Sequence, residues 1–308
     1  MKILLRYRLE YVGALALLYG VRALSPSLAW NGARTVGRLL WRLGVRRRAV
    51  RTNLSVVFPE MPAAERDALG RKTMEHFASM AVDIIFQRRM LSRRNFHERF
   101  TITGWARNYL DLHGEEGLRQ RARKVLFLTA HLGNWELATG FFGLLGVAIA
   151  PVFRSPQNPF IDRLLRRIRL DTSAGAIEKR GAVQQMLDAF ERGGNVGFLF
   201  DQEAVYGITV PFFGQPACTH KTPAVLARDH GAKVFFGALL RRGDFLAYEA
   251  RGELLDYGAP GEDREADLAR ITADLMRRLE GEIRLNPEQY LWMHRRWKRG
   301  LPAKESVA

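Results

Sequence analysis

The apolar positions of the chain follow two different periods, one before and one after roughly residue 100. Between Pro62 and Phe86 they recur at helical spacing, and Pro62-Ala-Ala-Glu65 has the form of a first helical turn. From residue 125, short apolar runs that scarcely alternate with polar residues predict buried strands, separated by segments of helical period. The predicted strands are 125–130, 147–153, 196–200, 209–213 and 233–240, and the predicted helices are 134–144, 159–169, 181–192, 220–230 and 264–284.

Strands interleaved with helices indicate an α/β fold, in which a mixed, largely buried β-sheet is flanked by helices. A basic, apolar and amphipathic helical region precedes the sheet in the sequence. We place the boundary at residue 60. This gives a membrane-associating helical region at 1–60 and an α/β domain at 61–308.

The first apolar run is too short to cross a membrane alone. Residues 11–21 are uncharged, whereas a membrane span needs about 20 apolar residues. A basic start followed by an apolar run is also typical of a secretory signal. However, no small-residue cleavage site follows cleanly, and a second basic, apolar helix comes next.

That second helix carries a stripe of arginines. Arg34, Arg38 and Arg42 recur at intervals of four residues, with leucines on the other side and Trp41 within the same stretch. A helix of this kind can lie in the headgroup layer, with its arginines near anionic lipid and its leucines near acyl chains. The alternative is a helix packed on the protein core with a solvated arginine face.

Composition narrows the choice of partners. The 308 residues include 48 Lys and Arg against 32 Asp and Glu, a net charge of +16, while 47% are hydrophobic, which excludes a disordered basic tail. Such a charge indicates a polyanionic partner. Eleven basic and two acidic residues fall within 1–60, beside apolar helices, and no stacking aromatics form a nucleic-acid-binding motif. We therefore expect membrane lipid and anionic substrates as partners, and no nucleic acid.

The strongest candidate chemistry follows the strand at 125–130. His131 ends this strand, a Gly133-Asn134 turn follows, and Glu136 lies in the first turn of the next helix. Ligands of open α/β sheets bind beyond the carboxyl ends of strands. If Asn134 caps the helix, backbone donors of the turn can stabilise developing negative charge. Glu136 can accept a proton from one ring nitrogen of His131, which leaves the other nitrogen as a base. A capping histidine with an acid that only complements the helix dipole is the alternative.

Further motifs run over nearly the whole chain. They are Asn53-Leu54 with Phe58-Pro59-Glu60, Phe153-Arg154 with Asn158-Pro159, Asp201-Gln202, Pro211-Phe212-Phe213-Gly214 followed by Thr219, and Pro287-Glu288-Gln289-Tyr290-Leu291-Trp292 with His294-Arg295-Arg296-Trp297-Lys298. Together with the segment from His131 to Glu136, they resemble the lipid A late acyltransferases of the lysophospholipid-acyltransferase-like superfamily.

The resemblance implies a membrane-associated O-acyltransferase at the cytoplasmic face of the inner membrane. Such an enzyme moves a fatty acyl chain from acyl carrier protein to a hydroxyl of an anionic lipid A precursor. His131 is then the general base and Glu136 its partner, and the thioester is attacked directly without an acyl-enzyme. The alternative is an acyltransferase of the same superfamily that uses another glycolipid or phospholipid, with acyl-CoA or acyl carrier protein as donor.

Other residues of these motifs are candidates for substrate binding. Arg154 and the Gly133–Asn134 turn are candidates to stabilise the oxyanion, or Arg154 grips a substrate phosphate with support from Asn158. Asp201 is expected to hold Arg154 or contact the acceptor sugar, or else to be a strand-end turn residue. The segment that leads to Thr219 is expected to form a pocket wall or to pack in the core.

The sequence also indicates what the site lacks. No Gly-x-Ser-x-Gly elbow is present, the seven histidines show no metal-binding spacing, and no phosphate-binding P-loop occurs. The single cysteine, Cys218, cannot form an intramolecular disulfide, and no His/Asn motif surrounds it. We therefore expect neither a metal nor a cofactor.

Overall fold

A computed structural model describes residues 2–104, 107–108, 110, 116–117, 124–170 and 175–298. Within these residues the chain forms nine α-helices and nine β-strands. The first four helices precede the sheet: α1 (Lys2–Ala23), α2 (Pro26–Arg42), α3 (Arg47–Val57) and α4 (Ala63–Met90). Ser25 caps α2 by accepting a hydrogen bond from the N–H of Leu28, and Pro26 occupies the first helical position.

Seven strands form the central sheet, in the order β1-β9-β8-β2-β5-β3-β4. All neighbouring strands run parallel except β8 and β9. The strands are β1 (Phe100–Gly104), β2 (Val125–Thr129), β3 (Ile149–Phe153), β4 (Ile177–Glu178), β5 (Asn195–Leu199), β8 (Lys233–Arg241) and β9 (Tyr248–Leu255). A separate antiparallel hairpin consists of β6 (Ile208–Phe212) and β7 (Gln215–Thr219).

Helices connect these strands and cover both faces of the sheet. They are α5 (Trp135–Leu144), α6 (Pro159–Leu170), α7 (Ala182–Glu191), α8 (Thr222–His230) and α9 (Arg264–Leu285). On β2, Leu126 and Leu128 belong to one buried cluster, whereas Val125 and Phe127 belong to another. Successive side chains of a strand point to opposite faces, so β2 is buried on both sides, as its continuous apolar run predicts.

The predicted α/β fold is confirmed. Each of the ten predicted segments from residue 125 onward overlaps the helix or strand assigned to it, although 209–213 lies in the hairpin and not in the main sheet. Strands β1, β4, β7 and β9 were not predicted. In β9 the reason is charge: Glu249 pairs with Arg242 and Arg251, and Glu253 pairs with Arg278. These ion pairs satisfy polar residues that a search for apolar runs passes over.

The N-terminal region contributes to the main core. Trp41 of α2 and Val50 and Leu54 of α3 belong to the same buried cluster as Trp292 near the end of the described chain. The amide of Asn53 donates hydrogen bonds to the carbonyls of Trp292 and His294, at 2.7 and 2.6 Å. The domain boundary at residue 60 stays a prediction, and α2 and α3 pack across it.

Candidate active site

His131 lies at the carboxyl edge of the central strand β2. Asp201 follows β5, which runs parallel to β2 as its neighbour, so the two residues reach the same edge. The ring nitrogen Nδ1 of His131 lies 2.8 Å from Oδ1 of Asp201, and the backbone N–H of His131 donates to Oδ2 at 3.1 Å. The Asp201 side chain is 2% exposed and that of His131 is 15% exposed. A buried carboxylate therefore holds both the ring and the backbone of His131.

This pairing keeps Asp201 ionised and determines which ring nitrogen of neutral His131 carries the proton. Burial alone would raise the pKa of Asp201, but the charge of the His131 imidazolium and the hydrogen bonds from its ring and backbone lower that pKa below its ordinary value. A carboxylate at Nδ1 requires a proton on that nitrogen. The neutral ring then carries its lone pair on Nε2, which lies 3.2 Å from Nε2 of Gln202. His131 is thus arranged as a base whose reactive atom is Nε2.

Glu136 belongs to the first turn of α5 and lines the same pocket as His131. The sequence predicts that Glu136 contacts a ring nitrogen of His131. In the structure Asp201 occupies Nδ1, because β2 and β5 are neighbours in the sheet although 70 residues separate His131 from Asp201. Asp201 therefore contacts His131 and not Arg154, and its predicted contact with the acceptor sugar stays a prediction. The predicted catalytic role of Glu136 stays a prediction.

The Gly133–Asn134 turn is held by backbone contacts on both sides. The N–H of Gly133 donates to the carbonyl of Gln289 at 3.0 Å, and the N–H of Asn134 donates to the carbonyl of Leu239 at 2.8 Å. Gly133 has φ +63°, and a Cβ there would lie 2.1 Å from the oxygen of Leu239, so the position requires glycine. Both N–H groups thus donate to backbone carbonyls of the protein, and the stabilisation of an oxyanion by donors near this turn stays a prediction.

Asn134 caps α5, as predicted, and also joins a buried polar network. Its side-chain oxygen accepts from the N–H of Leu137 at 3.2 Å, and its Nδ2 donates to the hydroxyl of Tyr248 at 2.9 Å. That hydroxyl also contacts Asp83 and Arg241, which form an ion pair with each other. Burial raises the pKa of Asp83, and the charge of Arg241 opposes this. Asn134 is fully buried and positions the turn, and its predicted part in substrate binding stays a prediction.

A second histidine supports the same turn from α4. His76 is buried, and its Nε2 lies 3.2 Å from the carbonyl oxygen of Gly133. Burial, with a further contribution from the charge of Arg241, lowers the pKa of His76 to about 3. His76 is therefore neutral and donates a hydrogen bond to the turn. No sequence motif identified it.

The remaining predicted binding residues have separate positions. Arg154 is exposed at the polar pocket, and its side chain makes no ion pair or hydrogen bond with a described residue. Asn158 caps α6 and donates to the carbonyl of Tyr7 and to Glu10 of α1, both at 2.9 Å. Thr219 is fully buried and accepts a hydrogen bond from Arg296 at 2.5 Å. Only Arg154 is free to meet a substrate, and Asn158 and Thr219 hold the structure.

Of the predicted membrane-binding residues of α2, some contact other parts of the protein and one is exposed to solvent. Arg34 and Arg38 lie 3.2 and 3.7 Å from the buried carboxylate of Glu75 on α4. The ring of Trp41 is only 6% exposed and packs in the core, a position that does not support a lipid contact. Arg42 is exposed. The exposed residues of α2 include the apolar side chains of Leu28, Val36 and Leu39, and the exposed Leu43 follows the helix directly.

Two cavities meet beside His131. The polar one has a volume of about 500 Å³ and is lined by His131, Glu136, Arg154, Gln202 and His220, among others. Burial lowers the pKa of His220 to about 4, so this ring is neutral at neutral pH. Sequence reasoning had not singled out Gln202 or His220 for a role, although Gln202 belongs to the quoted Asp201-Gln202 motif.

The second cavity, of about 180 Å³, is apolar and lies between the sheet and α5. Trp135, Phe198 and Leu199 line both cavities. From there the apolar cavity follows the sheet toward Val125 and Lys233, at the amino ends of β2 and β8. An apolar cavity beside the pocket of His131 suits a long hydrocarbon chain.

The described residues do not meet the requirements of a metal site or of a membrane-spanning helix. Among them, no group of three or more His, Cys, Asp or Glu side chains is arranged to hold a metal ion. Within that same part of the chain, no helix combines the length and apolar character needed to cross a bilayer.

Comparison with known proteins gives a consistent result over almost the whole chain. Residues 3–299 match the family described as bacterial lipid A biosynthesis acyltransferase. The chain is 28% identical to a lipid A biosynthesis lauroyltransferase of Escherichia coli K12 over 97% of this chain and 95% of that protein. It is 26% identical to the lipid A biosynthesis palmitoleoyltransferase of the same strain, over 95% and 92% of the two chains. A lipid A biosynthesis acyltransferase of Haemophilus influenzae is 26% identical, over 83% and 79%.

Proposed function

The chain belongs to the bacterial lipid A biosynthesis acyltransferase family, and we propose that it transfers a fatty acyl group from the thioester of acyl carrier protein to a hydroxyl of a lipid A precursor. The observation that carries the proposal is the position of His131. Its Nε2 contacts Gln202, which lines a polar pocket with His131, and Trp135, Phe198 and Leu199 of that pocket also line an apolar cavity under α5. The polar headgroup of the acceptor would then occupy the polar pocket and the hydrocarbon chain the apolar cavity, with His131 between them.

In the reaction that we propose, Nε2 of His131 removes the proton from the acceptor hydroxyl as its oxygen attacks the thioester carbonyl. Asp201 stabilises the imidazolium that forms, since its carboxylate contacts Nδ1 at 2.8 Å. When the tetrahedral intermediate collapses, the carbon–sulfur bond breaks and the thiolate leaves with the proton from Nε2. The products are an ester and a free thiol, without an acyl-enzyme. Glu136 faces the same pocket, where its negative charge would add to the stabilisation of the imidazolium.

Charge at the rim of the pocket supports an anionic acceptor. Arg154 is exposed there without an ion-pair partner among the described residues, and Lys179 lines the same pocket. We propose that Arg154 binds a phosphate of the lipid A precursor, since a guanidinium can contact phosphate oxygens through two N–H groups.

The first test is product analysis. Purified protein is incubated with a lipid A precursor and a panel of acyl carrier protein and CoA thioesters, and the products are weighed by mass spectrometry. We expect one added acyl chain on the precursor, with acyl carrier protein as the preferred donor. A product formed only on a different glycolipid or phospholipid would contradict the acceptor and favour the other acyltransferases of the superfamily. The relatives are named for lauroyl and palmitoleoyl transfer, so chain length is an outcome of this experiment.

We further propose that α1 and α2 attach the protein to the cytoplasmic face of the inner membrane. Leu39 of α2 and Leu43, which directly follows that helix, are 52% and 69% exposed, and on α1 Leu9 and Leu17 are 64% and 68% exposed. Exposed apolar side chains on neighbouring helices, flanked by arginines, are typical of helices that lie in a bilayer interface. Hydrogen bonds from Asn158 join α1 to the start of α6, four residues after Arg154, so a membrane bound at α1 is close to the pocket.

Replacing Leu39 and Leu43 with Glu is expected to weaken attachment to anionic vesicles by at least tenfold, because two apolar contacts are lost and two like charges are added. Vesicle sedimentation measures the effect. Activity on detergent-dispersed substrate should stay within threefold of wild type. The matched control is Leu285→Glu at the end of α9, which replaces an exposed apolar residue outside both cavities. Equal sedimentation of the double variant and the wild type would contradict this membrane surface.

A further inference from the structure

The proposed reaction develops negative charge on the thioester oxygen, and that charge needs a hydrogen-bond donor. In the turn beside His131, the N–H groups of Gly133 and Asn134 already donate to backbone carbonyls of the protein. The side chain of Asn134 is likewise committed, to Leu137 and Tyr248. Stabilisation of the oxyanion is usually a large part of catalysis of acyl transfer.

We propose that the side-chain amide of Gln202 is the oxyanion donor; this inference rests on the proposed function. Gln202 lines the polar pocket, and its Nε2 lies 3.2 Å from Nε2 of His131. Since Asp201 requires the proton of the neutral ring on Nδ1, the amide of Gln202 donates to the lone pair on Nε2. Without substrate, the amide thus occupies the position from which a hydroxyl proton is removed.

Substrate binding gives this amide a second partner. The acceptor hydroxyl takes the place of Gln202 at Nε2, and its oxygen bonds to the thioester carbon. The two electrons of the carbonyl π bond move to the oxygen, which then lies about 2.3 Å from the attacking oxygen in a tetrahedral centre. An amide about 3 Å from Nε2 is within reach of that oxyanion. Collapse of the centre returns the electron pair to the carbonyl and expels the thiolate.

The position of Gln202 is fixed by the same residue that orients the base. Gln202 directly follows Asp201 after β5. Asp201 in turn accepts two hydrogen bonds from His131, one from the ring and one from the backbone. The base and the proposed donor therefore belong to one rigid unit at the sheet edge. Arg154, by contrast, is exposed at the rim of the pocket, where it suits a phosphate better than a buried oxyanion.

The test compares Gln202→Ala and Gln202→Glu with wild type, using the donor and acceptor identified by product analysis. We expect kcat to fall by about 10²–10³ in both variants with KM within threefold, since one oxyanion donor is lost. Gln215→Ala, at the start of β7 and outside both cavities, is the matched control and should retain full activity. Circular dichroism and thermal melting verify that each variant is folded.

The pH dependence of kcat reports the enzyme–substrate complex, in which the hydroxyl has replaced Gln202 at Nε2, and it separates the proposed role from support of the ring. If Gln202 only supported His131, loss of its hydrogen bond to the neutral ring would move the acid limb of the profile to higher pH. An oxyanion donor lowers the plateau and leaves the limb in place. A kcat for Gln202→Ala within threefold of wild type, or a fall explained by the moved limb, overturns the proposal while acyl transfer stands. A wild-type protein without activity would instead remove the proposed function itself.

Discussion

Asp201→Asn is expected to lower kcat by about 10³–10⁴. An asparagine at this position can donate an N–H to Nδ1 of His131, which moves the ring proton to Nε2 and removes the base. The same change in the catalytic triad of serine proteases costs about 10⁴-fold. Single-turnover acyl transfer at saturating substrate measures the chemical step. Thermal melting verifies the fold, because the substituted side chain is fully buried.

Glu136→Gln is the matched comparison, since it removes the other carboxylate of the pocket with little change of shape. The contact at Nδ1 assigns the larger effect to Asp201, and a loss for Glu136→Gln of about tenfold or less agrees with a purely electrostatic role. If Glu136→Gln abolished transfer while Asp201→Asn stayed within tenfold of wild type, the orienting acid would be Glu136. His131→Ala gives the lower limit of activity against which both are judged.

The comparison of these two acids explains what sequence alone could and could not reveal about the site. His131, the Gly133 turn and the cap at Asn134 are local features, and each was predicted from residues within six positions of one another. The partner of His131 lies 70 residues away and depends on which strands are neighbours. Strand order is not encoded in any short segment, so the nearer acid, Glu136, was assigned the contact.

A similar reason explains the N-terminal helices. The spacing of Arg34 and Arg38 predicted a helix, and α2 is that helix. An amphipathic pattern distinguishes two faces but does not state which face packs on the protein. Glu75 on α4 attracts both arginines, so the leucine face is exposed instead. A buried acid 41 residues downstream thus brings Arg34 toward the protein, which the spacing of the arginines alone does not indicate.

Filling the apolar cavity is expected to shorten the acyl chain that the enzyme transfers. Ala138 lines the cavity from α5, about one turn after Trp135, and a leucine there would occupy the space of three methylene groups. At about 0.8 kcal/mol for each buried CH₂, Ala138→Leu should cost the preferred thioester about 2.4 kcal/mol, or roughly 50-fold in kcat/KM. A thioester shorter by three or four carbons should lose less than threefold.

The converse variant enlarges the same cavity. Phe142 packs against Phe127 and Phe235, with ring centroids 4.7 and 5.7 Å away, and all three rings line the cavity. Phe142→Ala should therefore shift the preference toward longer chains, provided that melting shows the protein still folded. Competition between thioesters of different length, read by mass spectrometry of the product, measures both shifts in one reaction. If Ala138→Leu reduced transfer of every chain length equally, the acyl chain would lie elsewhere. Opposite shifts in the two variants would place it between α5 and the sheet, with its carbonyl at His131.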